Sequence, residues 1–101
     1  MSDADRGTGR TTRQLQGAPY QAIFIWPVRS TIGYAEHLAR SLGREDIRIV
    51  TPDWLLKSPG WWGLRNAVIR DHAVTDFWSP SEAEAWDHLC EYLHPRGILC
   101  V

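Results

Sequence analysis

Hydrophobic positions along the chain fall into short runs whose period changes between segments. Residues 21–27, QAIFIWP, are continuously apolar in the middle and closed by Pro27, the pattern of a strand buried on both faces. Over residues 31–43 the period lengthens: Ala35, Leu38, Ala39 and Leu42 recur at spacings of three and four. That predicts a helix capped by Ser30 or Thr31 and ended by Gly43 in the left-handed region. Arg40 and Arg44 fall near its negative end, where cations are favoured. IRIVT, residues 47–51, reads as a second strand and NAVIRD, residues 66–71, as a third. Ser79-Pro80-Ser81-Glu82 forms a capping box with proline at the first helical position. The helix behind it carries Ala83, Trp86, Leu89, Cys90 and Leu93 on one face and stops at Pro95 and Gly97. GILCV, residues 97–101, is a short closing strand. A polar stretch, Thr11 to Gln16, has room for one or two helical turns before Gly17, Ala18 and Pro19.

Strands alternating with helices predict an α/β fold. The expectation is a single small domain with a three- or four-stranded, mainly parallel sheet and two principal helices. Residues 1–16 form a glycine-rich N-terminal loop and short helix, and residues 17–101 the α/β domain. The expected core is Ile23, Ile25, Leu38, Leu42, Ile47, Ile49, Val68, Ile69, Trp86, Leu89 and Leu93. At 101 residues and 44% hydrophobic, the chain has the apolar content for one modest core and argues against extensive disorder. Apolar runs of membrane-spanning length are missing, and the first 16 residues lack an apolar leader core, so a cytoplasmic, non-membrane protein is expected. A formal charge of -1 disfavours direct nucleic-acid binding.

The hexapeptide Gly7-Thr8-Gly9-Arg10-Thr11-Thr12 carries the candidate chemistry. Glycines let backbone N–H groups wrap a phosphate, and the helix start behind them adds partial positive charge. A basic side chain then meets the terminal phosphates and a hydroxyl holds Mg²⁺. This loop resembles the end of a Walker A motif, the GTGKTT form of helicase-like and AAA-type P-loop NTPases, with Arg10 in the lysine position. Ala67-Val68-Ile69-Arg70-Asp71 is similar to the Walker B strand, with Arg70 interrupting the apolar run. GTGRTTR is also similar to short phage-type proteins that open with such a loop. The resemblance implies phosphate or nucleotide binding by Gly7, Thr8, Gly9, Arg10, Thr11, Thr12 and Asp71, with Mg²⁺ at Thr11 and Asp71. Ala4 stands where the full loop has glycine, the preceding segment MSDADR is too polar for the usual strand, and His72 occupies the place of a catalytic glutamate. The implied module therefore binds without efficient hydrolysis and is more a binding protein than an enzyme.

Six tryptophans lead to an alternative. Trp54, Trp61 and Trp62 crowd a segment read as a loop, and aromatic surface of this kind suits a protein interface. On that reading the chain is a phage or mobile-element protein, acting in a host cytoplasm, that binds and inhibits a host protein or nucleoprotein complex, for example as an anti-CRISPR-like inhibitor does. A homodimer through this surface or an open sheet edge stays open. Cys90 and His94 lie four apart on one helical face. A structural zinc site needs four ligands and a second close pair is missing, so no zinc is expected. Glu82, Glu84, Asp87 and Glu91 read as the solvated face of the same helix.

Overall fold

The computed structural model describes residues 9–57 and 63–101. Among these residues, three α-helices and three strands are ordered α1 (Arg10–Gly17), β1 (Ile23–Ile25), α2 (Ile32–Ser41), β2 (Arg48–Val50), β3 (Val68–Arg70) and α3 (Pro80–Leu93). The sheet has the order β2-β1-β3, and both pairings are parallel. Phe24 sits opposite Ile49 on one side and Ile69 on the other. The fold is α/β, as the alternating periods predict.

Strand alternation sorts the core into two layers. Ile23, Ile25, Val50 and Val68 point to one face, where α3 contributes Trp86, Leu89 and Leu93. Phe24 and Ile69 point to the other, against Ala39 of α2 and Leu15 of α1. Helices therefore cover both faces of a short parallel sheet, which explains why its central strand β1 reads as an unbroken apolar run rather than an alternating one.

The closing segment reaches β3 but forms less than a full strand. Val68 bridges Cys100 in parallel, with the Val68 N–H donating to the Leu99 carbonyl at 2.9 Å and the Val101 N–H to the Val68 carbonyl at 3.0 Å. α3 begins as expected: Ser79 Oγ accepts from the Glu82 N–H, and the Glu82 carboxylate accepts from the Ser79 N–H. Gly43 ends α2 at φ 74°, and the Arg44 N–H donates back to the Ala39 carbonyl while the Gly43 N–H reaches Arg40.

Three expectations need correction. Thr31 holds the N-cap position of α2 but makes no side-chain cap bond, because a 3₁₀ turn (Arg29–Thr31) precedes the helix. The Thr31 hydroxyl donates to the Val28 carbonyl and accepts from the Trp26 indole N–H instead. Leu38, Leu42 and Ile49 are only partly buried, since β2 is an edge strand and the layer thins there. Arg44 serves a different helix end from the one expected. Its guanidinium donates to the carbonyls of Leu15 at 2.8 Å, Gln16 at 3.2 Å and Pro19 at 3.1 Å, capping the C-terminus of α1.

α1 belongs to the packed domain. Leu15 is fully buried in the layer that contains Ala22, Phe24 and Ala39, a burial worth about 1.5–3 kcal/mol. The start of the segment 53–63, expected as a loop, belongs to a 3₁₀ turn (Pro52–Leu56) that buries Leu55 beneath α3. Among the described residues, no helix is long and apolar enough to cross a membrane.

Candidate functional site

β1 leads into α2 on one face of the sheet, and β3 leads toward α3 on the other. These two strands are neighbours, so the chain diverges to opposite faces from their carboxyl ends. In open α/β sheets such a divergence leaves a crevice just beyond the strands, the usual place for a ligand. Asp71 stands there. It is the residue after β3, its backbone N–H donates to the Ile25 carbonyl at 2.9 Å, and it is 3% exposed.

The Asp71 carboxylate is held from two directions. Thr11 Oγ1 donates to Oδ1 at 2.8 Å, across sixty positions of sequence. The Ala73 N–H donates to Oδ2 at 3.2 Å, an Asx-type turn that steers the chain away from the sheet. His72 brings its Nε2 to 4.0 Å from the same oxygen. Thr11 is in the first turn of α1. That turn is closed by the Arg13 N–H donating to the Gly9 carbonyl at 2.8 Å. Gly9 precedes it at φ 70°, a left-handed conformation that glycine adopts without steric cost.

A residue absent from the sequence-level site fixes the helix against the strand. The Gln14 side chain donates through Nε2 to the Arg70 carbonyl at 2.8 Å and accepts through Oε1 from the His72 N–H at 3.1 Å. The amide thus bonds on both sides of Asp71 and carries β3's backbone pairing one step beyond the strand. The only sequence signal is its spacing of three from Thr11, which places both on one face of α1.

The expected site residues divide as follows. Thr11 and Asp71 are in direct contact. Arg10 is exposed at the start of α1, and Thr12 is partly buried beside Thr11. Gly7, Thr8, Trp61 and Trp62 lie outside the described residues. Trp54 is partly buried against the α3-side core, which limits the surface it offers to a partner. Arg70, the residue that interrupts the apolar strand, lays its guanidinium over the Trp86 ring at 4.5 Å and the Trp78 ring at 5.6 Å. That arrangement lets a cation occupy a core strand.

At the carboxyl end of β2, Asp53 accepts from the Thr51 hydroxyl and from Arg29 Nη2 at 2.6 Å, with Lys57 Nζ at 3.6 Å. The Thr51 hydroxyl, with help from the two cations, holds this carboxyl below the usual carboxylate range. The same end of the sheet therefore presents one carboxylate already matched by cations and one, Asp71, bonded by a hydroxyl and a backbone N–H. Oxygen donors of the latter kind, a carboxylate beside a threonine hydroxyl, are the ligands a hard cation such as Mg²⁺ takes.

Comparison with protein-family models, with curated proteins and with solved structures finds no match to this chain.

Proposed function

We propose that the chain binds a phosphate-bearing ligand of the nucleotide class at the crevice beyond β1 and β3, without efficient hydrolysis. The observation that carries this reading is the 2.8 Å hydrogen bond from Thr11 to Asp71, which joins the start of α1 to the end of β3. Backbone N–H groups of the first turn and the exposed Arg10 supply positive potential for a phosphate. Asp71 and Thr11 supply hard oxygen ligands for an accompanying Mg²⁺, which would neutralise phosphate charge. His72 is an imidazole where a hydrolase would need a carboxylate to position water, so binding is expected to outlast chemistry. Titration calorimetry and thermal melting with ATP, GTP and inorganic phosphate, each with and without Mg²⁺, test the proposal. A ligand at a hundred times its Kd adds about 2.7 kcal/mol of stability. The shift should be lost in Asp71→Asn and reduced in Arg10→Ala. Absence of both heat and shift with all three ligands overturns it.

A second reading, a phage or mobile-element protein that docks on a host complex, draws support from the same end of the sheet. Leu56, the last residue of the 3₁₀ turn after β2, is 50% exposed, and Phe77, which follows the 3₁₀ turn Val74–Asp76 after β3, is 58% exposed. Such side chains are what an interface covers. Retention of a host complex by the wild type but not by Leu56→Ser/Phe77→Ser would favour this reading. Equal retention would exclude this surface.

A further inference from the structure

On the face of the sheet that α3 covers, the C-terminal turn of this helix meets the closing segment of the chain. Cys90 and His94 occupy one face of that turn. The chain then reverses through a 3₁₀ turn (His94–Arg96) and through Gly97 at φ 74°, and returns parallel to β3. This path brings in Cys100, which the spacing of Cys90 and His94 gave no reason to expect. A ring nitrogen of His94 and both sulfurs lie within 4.8 Å of one another. His94 Nε2 is 3.0 Å from the Cys100 carbonyl oxygen, and the Cys90 thiol points at the same oxygen at 3.8 Å.

We propose that Cys90, His94 and Cys100 form a binding site for a thiophilic divalent cation of the zinc class. Two sulfurs and one imidazole are the donors such ions select over Mg²⁺ or Ca²⁺. Four-coordinate zinc with Zn–S of about 2.3 Å and Zn–N of about 2.0 Å sets its donors roughly 3.5–3.8 Å apart, so the three groups need to close by only about 1 Å. Cys100 is buried, Cys90 is partly buried and His94 is exposed, which leaves an entry path and a fourth position for solvent. Two thiolates balance the charge of the ion, and a neutral centre is compatible with the nearby Arg70 guanidinium. Thiolate rather than thiol is the form that ligates such an ion, so binding releases protons and tightens as pH rises. Once bound, the ion would clamp the closing segment to α3, at a site separate from the one proposed for the phosphate ligand.

The test uses the full chain, freed of metal and kept reduced by a reagent without thiols, titrated with Co²⁺ as the spectroscopic probe. The expected result is a sulfur-to-cobalt charge-transfer band that saturates at one equivalent, with ligand-field bands of four-coordinate intensity and displacement by Zn²⁺. Cys90→Ser should abolish the one-equivalent binding. His94→Gln, a change at an exposed helix end that leaves the fold intact by circular dichroism, should weaken binding at least about ten-fold. No charge-transfer band in the wild type, or unchanged cobalt affinity in His94→Gln, overturns the proposal.

Discussion

Two carboxylates secure the two ends of α1, and they work in different surroundings. Asp71 receives Thr11 in the first turn of the helix. Asp46 acts at the other end through Arg44: it accepts from Arg44 Nε at 3.1 Å and Nη2 at 3.0 Å, and that guanidinium caps the last carbonyls of the helix. Asp46 also accepts from the Gln21 N–H at 2.7 Å. Gln21 sits at φ 60°, an unusual conformation for a side-chain-bearing residue, held from its other side by Asn66 Nδ2 donating to its carbonyl. At the Asp46 end, then, charge meets charge and the product is fixed geometry. At the Asp71 end a buried carboxylate meets a hydroxyl and a backbone N–H, an arrangement that still has use for a cation. The contrast sets a tether that serves the fold against one that, on the proposed function, also serves a ligand, and it can be attacked in order of expected effect.

The harshest test removes what both tethers depend on. Leu15→Ala should cost about 3 kcal/mol, the range for a fully buried leucine, read as a fall in the urea midpoint. α1 should loosen at both ends, with faster amide exchange at Arg13 and Gln21 alike. A loss below about 1 kcal/mol would mean that α1 is held by its polar contacts alone, and that the core assignment of Leu15 carries little weight.

Arg44→Ala comes next. It strips three carbonyls of their cap and leaves Asp46 without its cation, and we expect a fall in Tm on the order of 5 °C. Ligand affinity at the Asp71 end should change far less. The same node has a signature in acid. Hydrogen bonding from Arg44, then from the Gln21 N–H, holds the Asp46 carboxyl far below its ordinary range. A carboxyl depressed in the folded state stabilises the fold above its unfolded pKa of about 3.9, and that contribution drains away as pH falls further. Wild-type Tm should therefore drop steeply below about pH 4. In Asp46→Asn the drop should be shallower but still present, since Asp53 is depressed too.

These variants also mark what could be read from the chain and what could not. β1 was legible because a strand buried on both faces leaves an uninterrupted apolar run, and β2 and β3 because β-branched residues accompany the arginine in each. The start of α3 was legible because the Ser79–Glu82 box is local. Leu15 was not: it is the one apolar residue in RTTRQLQG, and its burial depends on Phe24 and Ala39, which arrive from other elements. Leu55 and Val74 lie in 3₁₀ turns too short to show a period. Arg44 near the end of α2 read as a partner for its own helix, yet the turn at Gly43 sends its side chain to α1. At the candidate site, Thr11 and Asp71 could be named from a resemblance in local motifs, whereas their contact is a property of the tertiary fold. Gln14 and Cys100 stayed hidden because each gains its neighbours only through strand register.

The finest test turns on one hydroxyl. Thr11→Val keeps the shape of the side chain and removes the donor to Asp71 Oδ1. A buried carboxylate deprived of a partner costs about 1–3 kcal/mol, with the lower end expected here because Ala73 still donates to Oδ2. Thr11→Ser restores the hydroxyl and should return stability to within about 0.5 kcal/mol of wild type. The pair separates two roles for the bond. If it only fastens α1, ligand-induced shifts in Tm will track stability and survive in the valine variant once melting is compared at matched temperatures. If Thr11 and Asp71 also hold a cation, the valine variant should lose Mg²⁺ dependence of nucleotide binding altogether, and the serine variant should recover it. Mg²⁺ dependence that persists in Thr11→Val would place the cation elsewhere and leave the Asp71 end as structural as the Asp46 end.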